Sequence, residues 1–438
     1  MRNVAVIGAG AAGLGAALTL VSAGVRVTLY EREARAGGRM RTETIDGARV
    51  DAGVQLVSSS CDEFFRLSRE AGVGSLLVRS PGRDALWRGG RAHGITYGSV
   101  TSMATSSALP TMLKLKMAGR YLPFLTSRAR ALDANDPART GGLAHDNESI
   151  ADWGLRELGR EFVELLAYPL LAAYYGSTPE QTSAAIYHAL ARAGMDVSVY
   201  GAAGGFGAIV EGWLGAFRAA GGEYLAETAV TQLDASADAV RIVTSSGAYT
   251  HDGVVVAVPA SSAAPLLAGS EAGVWLAGVR VDPTITIAFR MDRPFPGDYF
   301  GLSFPRTESI GSEVVALCIQ SRKVPGLVPP GGDVLVALPA PTAARTFLDM
   351  EESAAAARVL SVLEQAVKGI TKHVVSTHAF RFQEGYTLFA PGSLHHIARF
   401  DEAWLPDRVA LAGDYLVAPT VEGAVVSGVR AAKKLTGV

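Results

Sequence analysis

The first thirty-one residues alternate between apolar runs and a glycine-rich turn in the order strand, helix, strand. An apolar run at 4–7 precedes the turn, and small apolar residues at helical spacing follow it, among them Ala17 and Leu20. A second β-type run at 25–30 ends in the acidic Glu31. This change of period from two to about 3.6 and back predicts a βαβ unit with parallel strands.

The turn carries three glycines whose spacing is typical of a dinucleotide-binding fingerprint. Gly8 permits a tight turn, Gly10 lets the backbone approach a pyrophosphate, and Gly13 lets the helix pack closely on the strand. The helix begins at Ala11 and Ala12, so its N-terminal amides point at the phosphates. Glu31 follows Gly8 by about 20 residues, where a carboxylate binds ribose hydroxyls and repels a 2′-phosphate. The pattern therefore predicts a dinucleotide other than NADP.

The remaining pattern divides the chain into interleaved segments. Residues 61–200 are mainly helical, residues 200–267 return to α/β character, and residues 280–345 hold β-type runs separated by Pro and Gly. A strand at 408–412 and a helix from about 422 close the chain. We predict an α/β fold with a Rossmann-type nucleotide-binding domain assembled from 1–85, 200–267 and 395–438. Residues 86–199 and 268–394 form an inserted α+β substrate-binding domain, a mixed sheet with helices, and a ligand cleft lies between the domains.

Composition excludes several classes of protein. The chain has 438 residues, of which 49% are hydrophobic and 19% charged, and a net charge of −2. It is therefore globular, with no basic stripe that would favour nucleic acid as a partner. Cys61 and Cys318 lie far apart in sequence, which predicts a reduced, cytoplasmic protein without a metal centre. The His395–His396 pair is interpreted as part of a solvated loop, and no transmembrane span is expected.

Residues 110–132 predict an amphipathic helix pair that Pro123 interrupts. The pair carries Lys114, Lys116, Arg120, Arg128 and Arg130. A solvated basic surface is the interpretation that we favour. A peripheral membrane contact is the alternative.

Further glycine and acidic motifs stand on either side of this central region. Gly37, Gly38 and Arg39 follow the βαβ unit, and an arginine after two glycines can clamp a pyrophosphate. Asp51 and Gly53 form a second turn. Near the C-terminus, Gly413–Asp414 follows a strand, and the stretch 422–428 opens a helix whose dipole can stabilise negative charge on a reduced ring system.

These motifs, in this order, resemble the flavin-containing amine oxidoreductases, which include monoamine and polyamine oxidases, protoporphyrinogen oxidase and phytoene-type desaturases. The resemblance implies noncovalent FAD, since neither cysteine lies near the C-terminal motif in the sequence. The cofactor contacts that we expect are Gly8, Gly10, Ala11, Ala12, Gly13, Glu31, Arg32, Gly38, Arg39, Gly53, Val54, Gln55, Val230, Gly413, Asp414, Glu422, Gly423 and Ala424.

Within that family, the helical stretch at 149–180 is similar to protoporphyrinogen oxidases. The amine-oxidase branch fits less well, because its flavin-side lysine corresponds to Thr286 and one of its cage tyrosines to Thr420. The run at 382–387 also departs from the protoporphyrinogen-oxidase pattern, so the substrate can differ from a tetrapyrrole.

The expected function is the transfer of a hydride from a C–H bond of a hydrophobic or polycyclic small molecule to the flavin, forming C=C or C=N. Reoxidation by O₂ or another acceptor would follow. The side chains that we place near the flavin are Gln55, Tyr175, Tyr386 and Thr420, each of which ordinary packing explains equally well. The alternatives are an amine or amino-acid oxidase, a flavin-dependent cyclase or isomerase, and a non-enzymatic binding protein like the Rab GDP-dissociation inhibitors.

Overall fold

The computed structural model describes residues 3–138 and 142–437. Its strands, in chain order, are β1 (Asn3–Ile7), β2 (Arg26–Tyr30), β3 (Thr42–Ile45), β4 (Ala48–Asp51), β5 (Val57–Ser58), β6 (Leu77–Arg79), β7 (Arg83–Arg88), β8 (Arg91–Ile95), β9 (Val199–Ala202), β10 (Glu223–Leu225), β11 (Val230–Ala235), β12 (Val240–Thr244), β13 (Gly247–His251), β14 (Gly253–Val256), β15 (Val281–Met291), β16 (Tyr299–Ser303), β17 (Val314–Ile319), β18 (Asp333–Pro339), β19 (Val374–Thr387) and β20 (Val409–Leu411).

The α-helices are α1 (Ala11–Ser22), α2 (Asp62–Glu70), α3 (Val100–Thr105), α4 (Thr111–Lys116), α5 (Leu122–Ser127), α6 (Ile150–Glu157), α7 (Arg160–Phe162), α8 (Tyr168–Tyr175), α9 (Ala184–Ala193), α10 (Phe206–Ala219), α11 (Ala260–Leu266), α12 (Glu271–Ala277), α13 (Gln320–Lys323), α14 (Pro341–Leu348), α15 (Glu352–Leu363), α16 (Ser393–Ala398) and α17 (Val421–Thr436). Short 3₁₀ and π turns join several of them.

A five-stranded parallel sheet confirms the predicted α/β fold class. Its order is β10-β2-β1-β14-β20, so strands from the N-terminal, middle and C-terminal segments are hydrogen-bonded neighbours. Val4 and Val6 of β1 pack on one face against α1, α10 and α17. Ala5 and Ile7 pack on the other face against α11, α12 and β12. Both faces are buried, as parallel sheets require, and this explains the nearly continuous apolar runs of these strands.

Two glycines allow helices to approach closer than a side chain would permit. A Cβ at Gly13 would lie 1.8 Å from the carbonyl oxygen of Gly8, so glycine is needed where α1 meets the first turn. A Cβ at Gly428 of α17 would lie 2.1 Å from the carbonyl oxygen of Ala12. The backbone of the C-terminal helix α17 therefore contacts the backbone of α1. This close packing holds the C-terminal segment against the N-terminal segment of the same domain.

A seven-stranded mixed sheet forms the second body of the molecule. Its order is β19-β15-β18-β17-β16-β7-β8, and its pairs are antiparallel except for β16 with β7. One face packs on α14 and α15 around Phe289, Leu335 and Phe347. A helical layer made of residues from 86 to 187 has its own core around Phe162 and Tyr121.

The structure moves two of the expected segment boundaries. Strand β7 lies wholly in the seven-stranded sheet, so the expected boundary at 85 cuts through a strand that begins at Arg83. Helix α12 packs through Ala272 and Leu276 against the parallel sheet, although 268–394 was assigned to the other domain. In both cases an element belongs to the domain on which it packs, and the local sequence pattern does not show where that packing occurs.

The expected break at Pro123 is also corrected. The chain is helical from Thr111 to Ser127, with a π turn at Met117–Tyr121 immediately before the proline. Pro123 falls in the first turn of α5, and the wider π turn accommodates its missing N–H.

The basic side chains of this helix are partly used in packing. Lys116 Nζ donates to the carbonyl oxygen of Leu158, and Arg120 Nη1 donates to that of Glu157. Met112 and Leu115 are 64% and 62% exposed beside them. The solvated basic surface and the peripheral membrane contact therefore both stay predictions for the helix at 110–132.

We expect Gly428→Ala to destabilise the protein by about 1–3 kcal/mol, because the added methyl would overlap the backbone of α1. Urea unfolding followed by circular dichroism measures the change. Gly215→Ala is the matched control, since Gly215 also lies inside a helix but an added Cβ there meets nothing within 4 Å. That variant should gain up to about 1 kcal/mol, and equal losses for the two variants would contradict the packing argument.

Candidate active site

A cradle of backbone amides lies at the N-terminus of α1. The Gly8 amide donates to the carbonyl oxygen of Tyr30 (2.8 Å), which ties the turn to β2. Gly8 has φ +99°, and Gly10 caps α1 without a side chain. A Cβ at Gly10 would meet nothing within 4 Å, because this position faces a large cavity. The N–H groups and the positive end of the helix dipole are therefore presented to a ligand phosphate.

Glu31 braces this cradle. Its Oε2 accepts from the amide of Ala9 (2.7 Å) and its Oε1 accepts from the amide of Glu33 (2.9 Å). The residue is 8% exposed and lines the cavity. A carboxylate has about four acceptor positions, so two remain for ribose hydroxyls. Arg32 also lines the cavity and pairs with Glu384 (3.2 Å) at its rim.

Arg39 connects the Gly37–Gly38 turn to the C-terminal segment. Its Nη1 donates to Asp414 Oδ2 (3.0 Å) and to the carbonyl oxygen of Gly385 (3.0 Å). The other carboxylate oxygen of Asp414 accepts from Thr387 Oγ1 (2.8 Å). These contacts hold residue 39, residues 385–387 and residue 414 around one cavity. The hydrogen bond between Arg39 and Asp414 joins two charged groups, and such bonds are stronger than those between neutral groups.

A buried network holds the side chain of Gln55 in one orientation. Its Nε2 donates to the carbonyl oxygen of Asp51 (2.6 Å), and its Oε1 accepts from Gln320 Nε2 (2.9 Å) and Lys323 Nζ (3.2 Å). Position 53 requires glycine, because a Cβ there would lie 2.3 Å from the carbonyl oxygen of Arg39. Gly53, Val54 and Gln55 all line the cavity.

At the centre of this network is an ion pair that we did not predict. Lys323 Nζ lies 2.6 Å from Asp51 Oδ2, and the two side chains are 0% and 1% exposed. The other oxygen of Asp51 accepts from Thr42 Oγ1 (2.5 Å) and from the amide of Phe206 (2.8 Å). The signal in the sequence was faint, because Lys323 sits in the polar run Gln-Ser-Arg-Lys, which is typical of a surface turn.

The other side chains expected near the flavin also line the cavity, as do Val230 and Ala424. Tyr386 packs over Gly176, where a Cβ would lie 2.0 Å from its ring. Burial raises the pKa of the Tyr386 and Tyr175 hydroxyls, so both stay protonated at neutral pH. Thr420 caps α17, because its Oγ1 accepts from the amide of Gly423 (2.8 Å). Its hydroxyl oxygen is therefore engaged as a hydrogen-bond acceptor.

Three of the expected cofactor contacts do not line the cavity: Gly13, Glu422 and Gly423. Glu422 instead accepts from the amides of Glu63 (2.8 Å) and Phe64 (3.0 Å) and so caps α2. This corrects our expectation for its side chain. The physical reason is that the unsatisfied amides at the start of α2 attract a carboxylate more strongly than the apolar cavity wall does.

The expectation about the cysteines also needs correction. Cys61 lies beside Glu422 in space, despite its distance from the C-terminal motif in sequence, and both cysteines line the cavity. Burial, with a smaller effect from Glu422, raises the pKa of the Cys61 thiol to about 12. Burial likewise raises that of Cys318 to about 11. Neither thiol is therefore a nucleophile at neutral pH.

The cavity measures about 1120 Å³ and runs from the cradle to the seven-stranded sheet. Its far part is enclosed by apolar and aromatic side chains, among them Met103, Leu109, Met117, Leu122, Leu125, Phe162, Leu166, Leu170, Leu190 and Met195. Thr286 lies on the floor with its Oγ1 donating to the carbonyl oxygen of Ala52 (2.7 Å). In the described parts of the chain we find no cluster of three metal-ligating side chains and no helix able to cross a bilayer.

The Rossmann-type sheet, the amide cradle with Glu31 and the adjoining apolar chamber together define a flavoprotein oxidoreductase. The residues fit the cofactor, since the cradle offers amides to a pyrophosphate and the Arg39 side chain, held by Asp414, lines the same cavity. Comparison with known proteins agrees. The chain belongs to the family of flavin-containing amine oxidoreductases, whose model matches residues 11–436. It is thus an FAD-dependent oxidoreductase.

Individual relatives span different activities. Mitochondrial protoporphyrinogen oxidase from Nicotiana tabacum is 28% identical over 184 residues, which cover 42% of this chain and about a third (34%) of the tobacco enzyme. Putrescine oxidase from Kocuria rosea is 46% identical over 72 residues, 16% of this chain and 15% of that enzyme.

Two solved structures share the fold over the whole chain. A putative protoporphyrinogen oxidase from Exiguobacterium sp. 255-15 has a TM-score of 0.77 at 18% identity, covering 99% of this chain and 98% of its own. Cyclohexylamine oxidase from Brevibacterium oxydans IH-35A has a TM-score of 0.76 at 20% identity, covering 100% and 99%.

We expect Lys323→Met to destabilise the protein by about 3–5 kcal/mol, because Asp51 would keep a buried charge without its partner. Guanidinium unfolding of the FAD-loaded protein measures the loss. The control is Lys368→Met at an exposed position, which should stay within about 0.5 kcal/mol of the parent. A loss below about 1 kcal/mol for the Lys323 variant would show that the pair is not a structural requirement.

Proposed function

We propose that this protein binds FAD noncovalently and oxidises a C–H bond of a hydrophobic or polycyclic small molecule, forming C=C or C=N in the manner of a protoporphyrinogen oxidase. The observation that carries the proposal is the continuity of one cavity from the nucleotide cradle into an apolar chamber. Reduced cofactor would be reoxidised by O₂ or another acceptor.

The composition of the chamber supports an apolar substrate. Methionine, leucine and phenylalanine side chains form most of its walls. Burying such apolar surface against an apolar ligand removes both from water, which is favourable. Methionines also adapt their shape, so a rigid ring system and a flexible chain are both accommodated. A small polar amine would leave most of this surface in contact with water.

The chain's own groups supply position and a dry environment. When bound, FAD supplies the hydride acceptor. Gln55 holds a fixed amide at the cavity wall, and the neutral hydroxyls of Tyr175 and Tyr386 add no charge there. Thr286 donates its hydroxyl to the carbonyl oxygen of Ala52, and Thr420 accepts at its hydroxyl oxygen from the amide of Gly423. Neither acts as a base, because a neutral aliphatic hydroxyl is far too weakly basic to take up a proton. Catalysis then rests on orientation of the C–H bond toward the cofactor.

Anaerobic reduction of the bound flavin tests this function. We expect a porphyrinogen or a polyene to bleach the absorbance of oxidised flavin, and short alkyl amines to leave it unchanged. Bleaching by short amines alone, with hydrogen peroxide formed in air, would establish an amine oxidase instead. A colourless protein that takes up no added FAD would overturn the flavoenzyme itself.

We expect Arg39→Ala to weaken FAD binding at least about tenfold, because one charge-assisted contact contributes roughly 1.5–3 kcal/mol. Quenching of FAD fluorescence by the apoprotein measures the dissociation constant. Arg35→Ala is the control, since Arg35 is exposed and pairs with Glu43 (2.7 Å) away from the cavity. Equal affinities for the Arg39 variant and the parent would remove Arg39 from the cofactor site.

A further inference from the structure

The run at 382–387, which departs from the pattern of protoporphyrinogen oxidases, contains a bulge in β19. The register of β19 against β15 shifts there, so that residues 383–385 stand opposite Pro283 alone. Surplus residues of this kind leave the hydrogen-bonded ladder and re-aim their side chains. All three of them line the cavity. The bulge is therefore a part of the seven-stranded sheet that reaches the ligand.

Two arginines of the nucleotide-binding segment hold this bulge. The carbonyl oxygen of Gly385 accepts from Arg39 Nη1 (3.0 Å). Glu384 Oε2 accepts from Arg32 Nη2 (3.2 Å). Arg32 directly follows Glu31, whose carboxylate keeps two acceptor positions for ribose hydroxyls. The Glu384 side chain is therefore anchored next to the expected position of the ribose.

The other oxygen of Glu384 is held by a different segment. Glu384 Oε1 accepts from the hydroxyls of Ser261 and Ser262, which lie in the first turn of α11. Ser262 also lines the cavity. Both carboxylate oxygens of Glu384 thus have donors, and its side chain is only 16% exposed. One side chain of β19 therefore joins the chain after β2 to the helix after β14.

This bridge crosses the carboxyl end of β1. In the parallel sheet β1 lies between β2 and β14, and it leads directly into the amide cradle at Gly8 and Gly10. Two interstrand steps of about 4.8 Å separate β2 from β14, so the bridge spans roughly 10 Å. Dinucleotides bind in the crevice outside the carboxyl ends of such strands. A pyrophosphate on the cradle is therefore enclosed between the cradle and the bridge.

We propose that Glu384 is a clasp that closes the dinucleotide crevice over FAD and opens for the entry and release of the cofactor. The clasp rests on the noncovalent FAD binding of the proposed function, and it goes beyond that function by assigning the bulge at 383–385 to cofactor retention. Arg32 is 56% exposed and also lies 3.3 Å from Glu33, so its pair with Glu384 is a surface ion pair of modest strength. Modest strength suits a contact that has to open.

The rates of FAD release and binding test the clasp. Dilution of the FAD-loaded protein, followed by recovery of FAD fluorescence, gives the release rate constant and, at equilibrium, the dissociation constant. The ratio of the two gives the association rate constant. Glu384→Gln should raise both rate constants at least fivefold and leave the dissociation constant within threefold of the parent, because a weaker clasp opens more often for entry and release alike.

A second variant combines Ser261→Ala with Ser262→Ala, which removes the other anchor of the carboxylate without changing any charge. It should also raise both rate constants. Glu313→Gln is the matched control, since Glu313 forms a similar ion pair with Arg358 but does not line the cavity. It should leave both rate constants unchanged.

Three results for Glu384→Gln would overturn the clasp. Unchanged rate constants would show that the carboxylate does not limit the passage of FAD. Faster release with unchanged association would indicate an ordinary contact to the bound cofactor. Faster association with slower release would indicate simple repulsion between the carboxylate and the phosphates. Flavin that stays with the acid-precipitated protein would overturn noncovalent binding and the clasp together, whereas flavin bleaching tests substrate oxidation separately.

Discussion

The ion pair between Lys323 and Asp51 joins the two bodies of the molecule behind Gln55, which lines the cavity. Asp51 ends β4, next to the nucleotide-binding segment, and Lys323 ends α13, which continues from β17 of the seven-stranded sheet. Breaking such a pair leaves one buried charge, which is far less favourable than forming neither. Because Asp51 also accepts from the amide that begins α10, the pair is tied as well to a helix that packs on the parallel sheet. The orientation of Gln55 follows from this, since Lys323 and Gln320 together occupy its carbonyl oxygen.

The cofactor region and the substrate region therefore follow opposite physical rules. Around the cradle, charged groups are matched, as with Arg39 between Asp414 and the carbonyl of Gly385. In the chamber, burial keeps the hydroxyls of Tyr175 and Tyr386 protonated and neutral, as their raised pKa values show. A flavin site benefits from this division, because the cofactor's phosphates need countercharge and dipoles while hydride transfer proceeds without water.

The parts of the fold that the sequence predicted are those that local chemistry determines. The βαβ unit was predictable because Gly8, Gly10 and Gly13 have distinct backbone duties within six residues. The joining of the N-terminal, middle and C-terminal segments was predicted from the pattern, because nucleotide-fold elements recur at 200–267 and 395–438, and the family resemblance then placed Asp414 at the cofactor site. The π turn before Pro123 was not predictable, because the cost of its missing N–H depends on the surrounding helices. Lys323 was missed for the same reason: a lysine in a polar run looks solvated until its partner, 272 residues away, is known.

Asp84 and Asp51 show how burial alone fails to assign a role. Both are aspartates at sheet positions and both are almost inaccessible to solvent. Asp51 is matched by a lysine, a hydroxyl and an amide, so its charge is satisfied within the protein and its role is structural. Asp84 lines the cavity and forms no hydrogen bond or ion pair with a described residue, so its charge has no counterpart in the described part of the protein.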